Sequence, residues 1–185
     1  MSPHDIILEA RDIDRILQRM THEILEIHSQ LENLALIGIQ TRGVYLANRI
    51  RSSIKQKENL EILTGEMDIT LYRDDWTRIA NAPVVKATNI SFSVDKKQIV
   101  LVDDVLYTGR TIRAAMDAIT DFGRPDRIEL AVLIDRGHRE LPICGNYVGK
   151  FVETRRSETI NVLLAEKDGK DVVEIAKLPD PNIAK

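Results

Sequence analysis

The chain has 185 residues, 43% of them hydrophobic, which is enough for one sizeable core and within the usual size of a single domain. We therefore expect one domain over residues 1–185. Twenty-six basic residues stand against 29 acidic ones, a net charge of -3, which excludes a globally polyanion-binding protein and leaves room only for a local basic patch. A lone cysteine, Cys144, excludes an intrachain disulfide and is expected to be a small buried hydrophobe in a reducing, cytoplasmic setting. No apolar run approaches the roughly 18 residues of a membrane span, so a soluble protein is expected.

Ile13, Ile16, Leu17, Met20, Ile24, Ile27 and Leu31 recur at steps of three and four, the stripe of an amphipathic helix whose outward face carries His22 and His28. These histidines are six apart and make no zinc motif. The apolar run 34–39 predicts a buried strand, turning at Thr41 to Gly43 into a helix from Val44 to about Ile54. Residues 60–63 and 67–72 predict two strands around Gly65. The polar stretch 73–81 has no period and reads as a mobile loop. Residues 99–102 are the most strand-like run, followed by a helix that ends near Gly123 and Pro125. Another strand spans 128–134. Strands therefore alternate with helices, which predicts an α/β fold with a mostly parallel central sheet covered on both faces. The short strands 147–152, 160–164 and 172–175, with the N-terminal segment, are expected to form a small cap, mainly residues 147–176.

Chemistry concentrates in VLVDDVLYTGRT. A parallel sheet binds ligands beyond the carboxyl ends of its strands, and the strand ending at Val102 delivers Asp103 and Asp104 to that edge. Thr108, Gly109, Arg110 and Thr111 then open a helix, whose backbone N–H groups and dipole suit a monophosphate. Carboxylates repel phosphate and accept from hydroxyls, so Asp103 and Asp104 are assigned to the 2- and 3-hydroxyls of a ribose whose 5-phosphate sits in the loop. Taken singly, an Asp-Asp pair also serves as a solvated turn and Thr-Gly-Arg-Thr as a helix cap; the combination is what carries the assignment. The Walker pattern of ATPases is absent.

VLVDDVLYTGRT resembles the phosphoribosyl pyrophosphate (PRPP) motif of type I phosphoribosyltransferases. Together with LIGIQTRGVYLA, MDITLYRDDW and LAVLIDRGHRELPI in this order, the chain is similar to the bifunctional pyrimidine-operon regulators that are also uracil phosphoribosyltransferases. This resemblance implies the type I fold with a small hood, and transfer of phosphoribose from PRPP to uracil, giving UMP and pyrophosphate. It implies that Asp103, Asp104, Val105, Leu106, Tyr107, Thr108, Gly109, Arg110 and Thr111 bind PRPP or UMP, and that Thr41, Arg42 and Gly43 form the pyrophosphate loop. It implies a lid at residues 73–81 with Arg78 as closing cation. Arg42, Arg78, Asp103 and Asp104 are the expected catalytic set; Asp104 as general base is an alternative role, and proton transfer stays unassigned. Magnesium is expected to arrive on PRPP, with no direct protein ligand. Arg136 and Ile160 are the expected base contacts; a structural role, as an ion pair or turn cap, is the alternative for Arg136 and the preferred reading for His138. No cap aromatic other than Phe151 is evident, which favours a pyrimidine.

The family also binds leader mRNA of the pyrimidine operon on a basic face of a dimer, with UMP as co-regulator. Arg15, Arg19, His22, Arg139, Lys150, Arg155 and Arg156 are the candidates here. Two segments depart from the family pattern: Cys144 stands where an arginine is common, and FVETRRSE replaces a KNIPTS-like run. The resemblance implies a homodimer or higher homo-oligomer. Two other readings stay open, an RNA regulator with vestigial catalysis and a phosphoribosyltransferase for another base.

Overall fold

The computed structural model describes residues 4–69 and 88–177. Its centre is a parallel sheet of β2 (Leu34–Ile39), β3 (Leu63–Met67), β4 (Gln98–Leu106), β5 (Arg127–Asp135) and β6 (Tyr147–Phe151), in the order β3-β2-β4-β5-β6. Residues 34–39 of β2, 99–102 of β4 and 130–134 of β5 are continuous runs without a polar side chain because both faces are covered. Side chains alternate between two cores. Leu34, Leu36, Val100, Val102, Ala131 and Leu133 face one, with α1 (Ala10–Ile27) and α2 (Arg42–Glu58). Ala35, Ile37, Ile99, Leu101, Leu130 and Val132 face the other, with α3 (Arg110–Thr120).

In α1 the predicted stripe buries Ile13, Leu17, Met20 and Ile24. The helix stops at Ile27, so Leu31 lies in a separate 3-10 turn. His28 is not on the outward face. It is 2% exposed and caps α1 from inside the protein, its ring nitrogens 2.5 Å from Gln98 Oε1 and 2.7 Å from Glu129 Oε2. Helical phase places residue 28 next to Ile24 on the buried stripe, and polar partners on β4 and β5 make that burial tolerable.

Two strand expectations are corrected. Gly65 does not separate two strands but lies inside β3; a Cβ there would come within 3.0 Å of Ile90, where residues 89–90 return past the strand. Residues 147–151 are not in the cap either: β6 extends the main sheet, pairing in parallel with β5 from Ala131↔Tyr147 to Asp135↔Phe151. The cap is instead an antiparallel sheet, β1-β8-β7, of β1 (His4–Glu9), β8 (Val172–Lys177) and β7 (Glu158–Leu163). The short helix α4 (Ala165–Asp168) joins β7 to β8. Cys144, expected to be buried, is exposed in the loop before β6. Among the described residues no helix is long and apolar enough to cross a membrane.

Candidate active site

Strand β4 carries its two carboxylates within the strand rather than beyond it, since pairing with β5 continues through Asp103↔Val132 to Leu106↔Asp135. Asp103 is 6% exposed. Each carboxylate accepts from the next backbone N–H: Asp104 donates to Asp103 Oδ1 and Val105 to Asp104 Oδ1, both at 3.0 Å. Burial pushes the Asp104 carboxyl up from the ordinary value, and the Arg42 guanidinium opposes that rise. A carboxylate that is costly to keep charged gains from a ligand that donates hydrogen bonds to it.

Past Leu106 the chain turns through Tyr107, Thr108 and Gly109 into α3. Gly109 has a φ of +92°, in the left-handed region that a side chain rarely adopts, and starts the helix without a side-chain cap. Thr108 O accepts from the N–H groups of Glu140 and Leu141 at 3.0 and 3.2 Å, which ties the loop to the segment after β5. Arg110 is exposed and pairs with Glu140 at 2.8 Å. Thr108 and Thr111 are half-buried, whereas Leu106 belongs to the core. Val105 packs against the other core, so these two residues bring backbone alone to the site.

Thr41 precedes α2, and Arg42 and Gly43 are its first residues. A Cβ on Gly43 would stand 2.3 Å from Val102 O and 3.2 Å from Asp103 Cα, so glycine lets the first turn of α2 lie against β4 beside the carboxylates. Arg42 grips Asp168 of α4 with two bonds, Nε to Oδ2 at 3.1 Å and Nη2 to Oδ1 at 3.0 Å. One helical face further along, Arg49 binds both Glu166 and Asp171 at 2.6–2.9 Å. The guanidiniums hold all three hood carboxyls below their ordinary values.

Arg136 follows β5, 5% exposed. Its guanidinium carbon lies 4.2 Å from the centre of the Tyr107 ring, and it donates to Thr154 Oγ1 (3.1 Å), Arg155 O (3.3 Å) and Glu158 O (2.5 Å). His138 meets the edge of the same ring and contacts Thr154 O at 2.6 Å through Nε2. Ile160 is a core residue of β7, opposite Ile175, with its side chain packed in the core. Arg78 and the segment 73–81 lie outside the described residues.

These elements surround one edge of the sheet: paired carboxylates, a helix start behind a left-handed glycine, and an arginine at the head of α2. The family model of the phosphoribosyl transferase domain matches residues 5–171. The chain belongs to the phosphoribosyl transferase family. Within that family it is 56% identical over 170 residues to the bifunctional protein PyrR of Syntrophobacter fumaroxidans, covering 92% of this chain and 91% of the relative. It is 51% identical to that of Deinococcus deserti, over 97% of this chain and 98% of the relative. Similarity of fold alone extends to a hypoxanthine-guanine phosphoribosyltransferase from Bacillus anthracis, at a TM-score of 0.71 and 16% identity over 92% of this chain and 96% of that one. The fold is therefore shared at a sequence identity far below that with the PyrR proteins.

The candidate RNA residues of this phosphoribosyltransferase do not form one set. Arg15 and His22 are exposed on α1. Arg19 donates to Glu23 and to the carbonyls of Val148 and Gly149, which pins α1 on β6. Arg139 turns inward, bonding Asp135 and the carbonyls of Tyr107, Gly137 and Ile143. Arg155 and Arg156 are exposed in the turn before β7, beside the Arg136 loop. Sequence reasoning missed Asp168, Arg49 and Asp171. Their only signal was the acid-rich run AEKDGKD, whose partners lie more than a hundred residues away.

Proposed function

We propose that this protein transfers phosphoribose from PRPP to uracil and, with UMP bound, recognises leader RNA of a pyrimidine operon. The observation that carries the catalytic reading is the Asp103–Asp104 pair, buried at Asp103 and half-buried at Asp104, ahead of the Gly109 helix start in a chain more than half identical to bifunctional PyrR proteins. The first turn of α3 takes the 5-phosphate, with hydroxyls from Thr108 and Thr111. Asp103 and Asp104 accept from the ribose hydroxyls and stabilise positive charge developing on the sugar. Uracil N1 forms a bond to C1′ as the C1′–oxygen bond breaks; the electron pair leaves with pyrophosphate, and the N1 proton departs. Arg42 and the backbone at residues 41–43 receive that pyrophosphate, and Arg78 of the 73–81 segment closes over it.

Magnesium bound to PRPP would neutralise pyrophosphate charge. Asp103 and Asp104, within β4, are hard oxygen donors whose chemistry fits an ion carried by substrate oxygens. The base lies between the Arg136 loop and the Ile160 strand. Arg136 acts there at one remove, fixing Tyr107 and the turn before β7. For regulation, exposed Arg15, His22, Arg155 and Arg156 supply cations, and a homodimer would double them.

Magnesium-dependent UMP formation from uracil and PRPP is the expected result. Turnover of guanine or hypoxanthine in its place would assign another base, and leader RNA binding without any turnover would assign a regulator alone. RNA affinity is expected to rise with UMP and fall steeply with salt; equal affinity for a scrambled RNA at every salt concentration would overturn the regulatory half.

A further inference from the structure

We infer that Asp168 of the hood is a positioning residue for the pyrophosphate arginine, Arg42, so that grip on the leaving group is set from outside the pyrophosphate loop. The inference rests on the phosphoribosyltransferase reading above. Arg42 opens α2, and nothing in its own loop is shown holding its guanidinium. The partner that does is 126 residues away: Asp168 takes Nε and Nη2 in a two-bond fork. A fork fixes the plane of a guanidinium as well as its place, which a single bond does not do. Two of the five N–H groups are spent on it, and Nη1 keeps both of its own for an incoming anion.

Asp168 is itself held. Its Oδ2 accepts from the Leu164 backbone N–H at 2.9 Å, closing the short helix on itself. Arg49, two turns along α2, clamps Glu166 and Asp171 on either side of it. The carboxylate is thus anchored to the same helix that presents Arg42, and the pair is only partly exposed, at 28% and 17%. The arrangement also keeps the Arg42 charge near Asp104, whose carboxyl it stabilises in the ionised form. One hood carboxylate therefore orients a cation that also acts on the Asp104 carboxyl.

The test measures Mg-PRPP binding by calorimetry, without uracil, on the full chain. Asp168→Asn is expected to weaken PRPP about tenfold, the equivalent of ~1.4 kcal/mol, while the KM for uracil stays within twofold. Asp168→Glu should recover most of the loss. In an Arg42→Gln background Asp168→Asn should cost nothing further, because its effect runs through that arginine. His28→Leu, which loosens the fold far from the hood and leaves the Arg42 fork intact, separates positioning from folding: it should lower the melting temperature at least as much as Asp168→Asn yet keep PRPP affinity within twofold. Equal PRPP affinity in wild type and Asp168→Asn, or additive losses in the double variant, would overturn the inference. Failure of the wild type to bind Mg-PRPP at all would overturn the phosphoribosyltransferase reading and this inference with it.

Discussion

Replacing Arg136 with methionine separates two roles that the same residue could play. The side chain is nearly buried, donates three hydrogen bonds to Thr154, Arg155 and Glu158, and covers the Tyr107 ring. Hydrogen bonds from a charged donor are each worth about 1.5 kcal/mol at the low end, and the ring contact adds about 1 kcal/mol. The gross loss is then roughly 5 to 6 kcal/mol. Against it stands the cost of burying a cation, visible in the downward push on the Arg136 pKa by burial, which methionine relieves while keeping similar volume. Returning roughly 2 to 3 kcal/mol for that leaves a net destabilisation of about 3 kcal/mol. With a urea dependence of about 2 kcal/mol per molar, the unfolding midpoint should fall by about 1.5 M at fixed protein concentration. Urea unfolding followed by circular dichroism measures the shift, and steady-state kinetics on the same preparation gives KM for uracil. A midpoint unchanged to within about 0.3 M together with a large rise in that KM would refute the reasoning and make Arg136 a direct base contact.

Asp104→Asn should stabilise the protein while abolishing turnover. Burial raises the folded-state pKa of this carboxyl, so the protonated form stabilises the fold below the unfolded value, and that contribution is lost as pH rises through the folded pKa. The gain in melting temperature from the amide should therefore be larger at pH 7.5 than at pH 5, and an equal gain at both would contradict the assignment. His28→Leu should cost about 2 kcal/mol, because Gln98 and Glu129 lose a buried partner. Yet UMP formation should change less than twofold, since Gln98 and Tyr147 begin their strands and the carboxylates lie at the opposite edge. A thermal melt and an activity assay on the one sample check both statements.

The two-sided burial of β2, β4 and β5 explains why those strands could be read directly: each contains an apolar run, 34–39, 99–102 and 130–134, with no competing period. The phosphate loop was legible for a similar reason, its residue types being contiguous. Gly65 misled because glycine marks both a turn and a close approach of two chain segments, and only the returning residues 89–90 decide between them. Residues 147–151 misled because a short edge strand of a parallel sheet and a strand of an antiparallel cap carry the same alternation. His28 depends on Glu129 and Tyr147, and Arg42 on Asp168; no local pattern encodes partners that far apart.

The hood is a sheet whose middle strand, β8, is flanked by the first strand of the described chain and by β7. During synthesis the sheet β2-β4-β5 can pair as its strands emerge, but β1 has no partner until residues 172–177 are out. Until then residues 4–9 are an unpaired edge, and Asp168 is not yet anchored beside Arg42. A nascent chain therefore contains the carboxylates of β4 and the Gly109 turn before Asp168 can fix the Arg42 guanidinium. The proposed ribose-phosphate site is thus encoded ahead of the hood contact that fixes Arg42, an order set by which strand pairs last.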